Sequence, residues 1–339
     1  MTSHHHHLYA IGNALVDTEY EVSDAELQAM GVEKRHMTLI DTPRRAELLH
    51  HVQGRHARRT GGGSAGNTVV ALAQLGGRAF YSCRVADDEL GAFYAADLER
   101  NSVATNLSHT RAQHGQTGSC LVLVTPDAER SMCTFLGATA ELDGGALQPQ
   151  DIAKSKVYYM EGYLAASPTG LAAALEGKHL ARAAGVALAA TLSDVSMINF
   201  CRAGLDAMLD AMLDGGLDYL FCNEEEAQVW SGAREIEQVA QVMGRLARTV
   251  CITRGAQGCL VLEAGQVTEV PASPVQAVDT NGAGDMFAGA FLYAATQGHS
   301  HARAARLGNR CAAAVVGQHG NRLKPEQMHA LKAEFEREA

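Results

Sequence analysis

Val278-Asp279-Thr280-Asn281-Gly282-Ala283-Gly284-Asp285 runs directly into Met286-Phe287-Ala288-Gly289-Ala290-Phe291-Leu292. The first eight residues are mostly small and polar, with acids near both ends. The next seven are apolar almost all round, the pattern of a buried helix. A tight turn therefore leads into a helix start. The first N–H groups of a helix have no intrahelical partner and carry partial positive charge. Small residues at Gly282, Ala283 and Gly284 let an anion reach that bare backbone, and Asp285 stands where the array opens. An anion cradle beside a carboxylate suits phosphoryl transfer. The amides stabilise charge on the moving group, and the carboxylate accepts the proton of the attacking hydroxyl. Alone, Asp285 would serve equally well as an ordinary helix N-cap.

Outward from this stretch, short apolar runs alternate with helical ones. Residues 9–12, 79–85, 119–125, 156–163, 186–191, 219–222, 250–253, 259–263 and 267–270 read as strands. Residues 43–52, 64–75, 88–101, 168–184, 202–213, 224–230, 236–247, 285–297 and 301–316 read as helices. The alternation predicts right-handed βαβ units and a mainly parallel sheet covered on both faces, a three-layer α/β/α body. Residues 14–39 and 115–136 instead have the beat of exposed strands, the second around a turn at Pro126-Asp127-Ala128. They predict a small β-sheet lid, segments 14–40 and 115–137 of one domain spanning 8–330.

Composition narrows the partners. With 339 residues and 47% hydrophobic content, the chain needs no disulfide or metal staple for a core. A net charge of −10 without a basic stripe argues against nucleic acid. The basic run at residues 55–59 reads as a solvated loop. Eight cysteines without a C-x-x-C pair read as buried thiols of a reducing compartment. No apolar stretch reaches the roughly 18 residues of a membrane span. A cytoplasmic protein with no membrane partner is the expectation. The His4–His7 run is left out of the fold reading.

The string at 278–285 resembles the C-terminal signature of the ribokinase-like (PfkB) carbohydrate kinase family. Gly61-Gly62-Gly63-Ser64-Ala65-Gly66-Asn67, followed by residues 68–76, is similar to its N-terminal signature. The resemblance implies a ribokinase-like fold and an ATP- and Mg²⁺-dependent kinase, with Asp285 as base and Gly282, Ala283 and Gly284 as anion hole. On the acceptor side it assigns Asp17, Gly63 and Asn67 to substrate hydroxyls, with Asn13 and Gly62 as neighbours. On the nucleotide side, Asn223 and Glu226 match an N-x-x-E motif, with Glu226 acting on Mg²⁺ through water. Thr253, Gly255 and Gly258 match a phosphate- and ribose-binding turn, and Asn309 a position edging the adenine. Asp279 matches a monovalent-cation site, which implies K⁺ dependence. The chain has no P-loop and no N-terminal dinucleotide fingerprint.

For the acceptor, Gly12-Asn13-Ala14-Leu15-Val16-Asp17, Arg130-Ser131-Met132-Cys133-Thr134-Phe135-Leu136 and Thr191-Leu192-Ser193-Asp194 resemble segments of adenosine kinases. Alternation would put Met132, Thr134 and Leu136 on one face of a lid strand. An apolar face suits a nucleobase, with Tyr163 available to stack on it. The expectation is a nucleoside kinase, most simply of adenosine. A sugar kinase for ribose, fructose or a keto-deoxy sugar acid is the alternative, and a non-catalytic sensor on the same fold is the third reading. Oligomeric state stays open between monomer and homodimer.

Overall fold

Leu8 and Ala10 face one side of the first strand, Tyr9 and Ile11 the other, and all four are fully buried. That is the mark of a strand covered on both faces. A computed structural model of the chain describes residues 4–127, 129–209 and 216–338. Its strands are β1 (His6–Ile11), β2 (Leu15–Glu21), β3 (Met37–Leu39), β4 (Arg58–Gly62), β5 (Ala79–Ser82), β6 (Ala104–Thr105), β7 (Ser119–Val124), β8 (Arg130–Phe135), β9 (Ser155–Met160), β10 (Ala187–Thr191), β11 (Leu217–Asn223), β12 (Ala247–Thr253), β13 (Cys259–Glu263) and β14 (Gln266–Val270).

The large sheet has the order β14-β13-β12-β11-β10-β9-β1-β5-β6. It is parallel from β12 to β6, and β13 and β14 add an antiparallel edge. The chain steps one way from β1 and the other way from β9, so the topological switch lies between these two neighbours. Ligands of open α/β sheets bind beyond the carboxyl ends of the strands at such a switch. One face is covered by the helices Ser64–Gln74, Ala283–Thr296 and His301–Val316, the other by helices that include Pro168–Ala183 and Glu224–Ser231.

The lid is a second sheet, ordered β3-β8-β7-β2-β4. Leu121, Leu123 and Cys133 on its outer face pack with Leu27 and Leu48 from two short helices. Residues directly opposite across strands share a face. Leu39, Thr134, Cys120, Asp17 and Thr60 therefore form one row across all five strands, and Met37, Met132, Val122, Glu19 and Arg58 the next.

Three sequence expectations change here. Ser23 and Glu26 form a capping box, so residues 24–29 make a helix where exposed strand was expected. Arg58 and Arg59 lie in edge strand β4 rather than a loop, and Arg59 pairs with Glu89 at 2.5 Å. The 236–247 helix stops at Met243, because Ala247 already belongs to β12. The last residues of the expected 202–213 helix, and Ala128 of the expected lid turn, lie outside the described residues. All eight cysteine thiols are free, and only Cys201 is not fully buried.

The Ser64–Gln74 and Ala283–Thr296 helices cross closely, and this contact brings their first turns together. A Cβ added at Gly289 would lie 2.7 Å from the Ala71 Cβ and would also run into the Thr68 carbonyl. Phe287 and Phe291 anchor the second helix on the sheet, each burial contributing roughly 1.5–3 kcal/mol. We therefore expect Gly289→Val to push the helices apart, at about 1–3 kcal/mol of stability. Turnover should fall with the lowered melting temperature, because both first turns carry site residues. A variant with unchanged melting temperature would show that the crossing is slack.

Candidate active site

Asp285 is where the sequence placed it, but it is not an N-cap. The helix begins at Ala283, its cap is Gly282, and Asp285 falls on the first turn. Its carboxylate bonds outward to the other helix: Ser64 Oγ donates to Oδ1 at 2.6 Å and Asn67 Nδ2 to Oδ2 at 2.9 Å. Gly282 has φ 77°, in the left-handed region, and a Cβ there would sit 2.6 Å from the Asn321 carbonyl. Only glycine fits without strain. The Ala283 N–H turns back to the Thr280 carbonyl at 3.3 Å. Gly284 is exposed, with open space where its side chain would be, so the hole opens to a ligand at that residue.

Asp17 belongs to the lid. It lies within β2, not at the end of a body strand, and accepts from Asn321 Nδ2 at 2.8 Å. Asn67 spends its amide inside the protein, donating to Asp285 and accepting from Arg322 Nε at 2.8 Å. For the substrate hydroxyls that the resemblance assigns to it, Asn67 therefore has chiefly its second amide hydrogen to offer. Gly63 precedes the helix with φ 83°, packed against the Asn13 carbonyl, and Gly62 accepts from the Tyr94 hydroxyl at 2.9 Å.

Glu161 escaped the sequence reading. It follows β9, is fully buried, and accepts from the Asn13 N–H and the Ala65 N–H, both at 2.8 Å. It thus ties the turn after β1 to the Ser64 helix, right at the topological switch. An acid inside the apolar run expected as a strand over 156–163 was the available signal. Arg130, quoted above only as part of a lid motif, donates to Glu19 at 2.8 Å and pairs with Asp279 at 3.1 Å. Asp279 also accepts from the N–H groups of Asn281 and Gly320. Its positive partner here is a guanidinium, so the site does not fit the expected K⁺ ion, and no step below uses one.

Burial sets the electrostatics. It pushes Asp285 up to about 6, with the Ser64 and Asn67 hydrogen bonds and the Arg322 charge pulling the other way. Asp17 is pushed up to about 7, chiefly by burial and against Arg322 and Arg130. Glu161 also rises to about 7 by burial, against its two backbone donors. Tyr163 is raised by burial among acids that include Asp194 and Asp285, and its hydroxyl donates to the Ser193 carbonyl at 3.5 Å.

The nucleotide-side residues line the carboxyl ends of β11 and β12. Asn223 and Thr253 are register partners. Asn223 and Glu226 form a reciprocal capping box, with Asn223 Nδ2 donating to Glu226 Oε1 at 2.6 Å. Glu226 is buried, and burial raises it to about 7. Gly255 and Gly258 shape the next turn. Asn309 does not face an open site: its Nδ2 donates to the carbonyls of Val270 and Pro271. Among the described residues, no cluster of three metal-ligating side chains exists. The Glu226 carboxylate after β11 would suit a hydrated Mg²⁺ held mainly by phosphate oxygens, which it would reach through water.

Two cavities adjoin the lid. The cleft lined by Asp17, Glu19, Arg58, Arg130, Asn281 and Asn321 holds about 20 Å³. A wider one of about 680 Å³ is lined by Leu39, Ile40, Thr134, Phe135 and Leu136 among others. Met132 shares the face of Thr134 but does not line this cavity. A surface groove of about 640 Å³ beside Ser273–Val275 and the last two helices contains none of the predicted site residues.

Residues 36–328 match the family model described as pfkB family carbohydrate kinase. The chain belongs to this family. It is an ATP-dependent phosphotransferase acting on a hydroxyl group. The crystal structure of adenosine kinase from Sinorhizobium meliloti superposes with a TM-score of 0.86 at 35% identity, covering 98% of this chain and 99% of that one. A probable sugar kinase from Rhizobium etli CFN 42 gives 0.85 at 33%, covering 99% and 100%. Mouse ribokinase is 30% identical over 68% of this chain and 70% of its own length. Adenosine and sugar kinases thus both stand near this PfkB kinase. Its ribokinase-like fold, mixed sheet and lid agree with the sequence expectation. No helix among the described residues is long and apolar enough to cross a membrane.

Proposed function

We propose that this kinase phosphorylates the 5′-hydroxyl of a nucleoside, adenosine foremost, giving the nucleoside 5′-monophosphate. The observation that carries this reading is the composition of the inner lid face. Leu39 and Met37 are 58% and 41% exposed, and they continue the rows that hold Asp17, Thr134 and Met132. Large apolar side chains left open beside a cavity are unusual unless a ligand covers them. A carboxylate at one end and an apolar wall at the other suit ribose and base respectively.

In the proposed reaction, the acceptor oxygen bonds to the γ-phosphorus as the bond to ADP breaks, and the hydroxyl proton passes to Asp285. The amides at the start of the 283–296 helix stabilise charge on the phosphoryl oxygens. Mg²⁺, when bound with the nucleotide, would neutralise phosphate charge, its hydration shell held by Glu226 and Asn223. At about 20 Å³ the cleft has room for a water, which needs ~10–15 Å³, but not for a nucleoside or sugar, so an acceptor enters only when the lid lifts. Closure over substrate would then exclude water and limit ATP hydrolysis.

The second reading, a sugar kinase, is favoured by the polar lining of that small cleft. ADP release measured with adenosine, ribose, fructose and a keto-deoxy sugar acid separates the two. Saturation by adenosine at micromolar concentration supports the nucleoside reading, and turnover of sugars alone ends it. Leu39→Asp should raise the KM for adenosine by about tenfold, the cost of losing ~1.4 kcal/mol of apolar contact. An unchanged KM would remove the base from this wall.

A further inference from the structure

Gly320, Asn321 and Arg322 are consecutive, and each bonds to a different site residue: Asp279, Asp17 and Asn67. Arg322 is the costly member. Its side chain is only 10% exposed, and burying a guanidinium requires compensation. Part comes from Asp97, which NH1 meets at 2.5 Å, yet NH2 is buried without a partner. The chain also makes room for this group: a Cβ at Gly61 would lie 2.8 Å from NH1 and would collide with the Asp97 carboxylate. An ion pair kept in such surroundings points to a task other than stability.

That task is visible in the bond order. Arg322 Nε donates to Asn67 Oδ1, so the amide nitrogen of Asn67 must face the other way, onto Asp285 Oδ2. We infer that Arg322 is a positioning residue for the base: by fixing the Asn67 amide between itself and Asp285, it sets how the Asp285 carboxylate meets the acceptor hydroxyl. The chain Asp97–Arg322–Asn67–Asp285 joins four elements far apart in sequence. Its charge acts as well as its geometry. The Asp285 charge is felt by Asp17 from the lid, Tyr159 and Glu161 from β9 and its end, Tyr163, and Glu226 from the nucleotide side. Ser64 and Asn67 donate to Asp285, and Arg322 is the cation opposing those acids.

The inference rests on Asp285 being the base, and the test keeps the two apart. It is the pH profile of kcat/KM and the acceptor KM for the full-length enzyme, Arg322→Met, Arg322→Lys, Asp97→Asn and Asp285→Asn. Removing the cation should carry the acid limb of Arg322→Met up by about one pH unit, a roughly tenfold loss on that limb that fades at high pH. Its acceptor KM should stay within about threefold of the parent, a small share of ΔΔG‡. Arg322→Lys keeps the charge, so its limb should stay near the parent while kcat falls. Asp97→Asn leaves the guanidinium without its neutralising partner and should move the limb the opposite way, down. That opposite sign decides the matter even if Arg322→Met does not fold. Limbs that stay at the parent pH in Arg322→Met and Asp97→Asn, with kcat/KM per folded molecule unchanged, overturn the inference. If Asp285→Asn keeps turnover, the base assignment itself has failed. If Asp285→Asn is inactive while those limbs stay put, only the role of Arg322 has failed.

Discussion

Asp285→Asn should retain acceptor and nucleotide binding and lose kcat by about 10³-fold, within the 10²–10⁴ that a general base contributes. The fold should survive because the hydrogen bonds around residue 285 can be rebuilt. Asn67 Nδ2 would still donate to the new amide oxygen, as it does now to Oδ2. The Ser64 hydroxyl, which now donates to Oδ1, can rotate and accept from the new amide nitrogen. The Ser64 O–H then loses its acceptor, but Ser64 is only partly buried and water can take that bond, so the change chiefly tests proton acceptance. The anion hole and lid remain, which leaves residual turnover above the uncatalysed rate. Steady-state ADP release at saturating acceptor checks this. A kcat within tenfold of the parent, with normal KM, would mean the acceptor proton leaves by another route.

The parts of this site that were legible in sequence are those whose chemistry is contiguous. A glycine turn, a carboxylate and an apolar helix in one uninterrupted run point to a helix start without tertiary information, and Gly282 does cap that helix, with Gly284 and Asp285 on its first turn. The strand–helix alternation likewise declares itself locally. Glu161, Arg130 and Arg322 do not. Each acts across more than a hundred residues of sequence, on Asn13, Glu19 and Asn67 respectively, and nothing within a short window distinguishes it from a surface charge. Edge strand β4 was hidden for a different reason. Arg58 and Arg59 have little intrinsic strand preference, and pairing with β2 imposes the conformation. Asp17 lies in the 14–40 segment expected in the second sheet, and Gly12-Asn13 marks the break between β1 and β2. Under the proposed roles, the acceptor carboxylate would ride on the lid while the base stays on the body.

Stability and activity should move in opposite directions as the unliganded enzyme is taken from pH 8 to pH 6. Burial raises Asp17, Glu161 and Glu226 to about 7 in the folded protein, against ordinary values of 3.8 for Asp17 and 4.5 for the glutamates. The folded state therefore takes up these protons at a pH where the unfolded chain does not. Stability rises as pH falls through 7, and the gain is lost again on going up through it. A group in mid-titration contributes at most about 1.4 kcal/mol per pH unit, so the three groups give a melting temperature at least a few degrees higher at pH 6.5 than at pH 8. His7 opposes this. It is held near 4, mainly by burial, so its unfolded form takes a proton first, but only below about 6.5. The rise should accordingly be clearest between pH 8 and 6.5. Activity runs the other way, because Asp285, at about 6, must be ionised to accept a proton. Below that value kcat/KM should fall by about tenfold per pH unit. These carboxylates interact, so the measured midpoints belong to the cluster rather than to single residues. Glu161→Gln removes one of the three groups that bind protons in this range, with Asp17 and Glu226, and should flatten the melting-temperature profile. Melting curves at five pH values, with initial rates on the same samples, test both directions. A melting temperature that is flat or falls from pH 8 to 6.5 would mean that Asp17, Glu161 and Glu226 ionise as freely as in water, and that the closed fold leaves them wet.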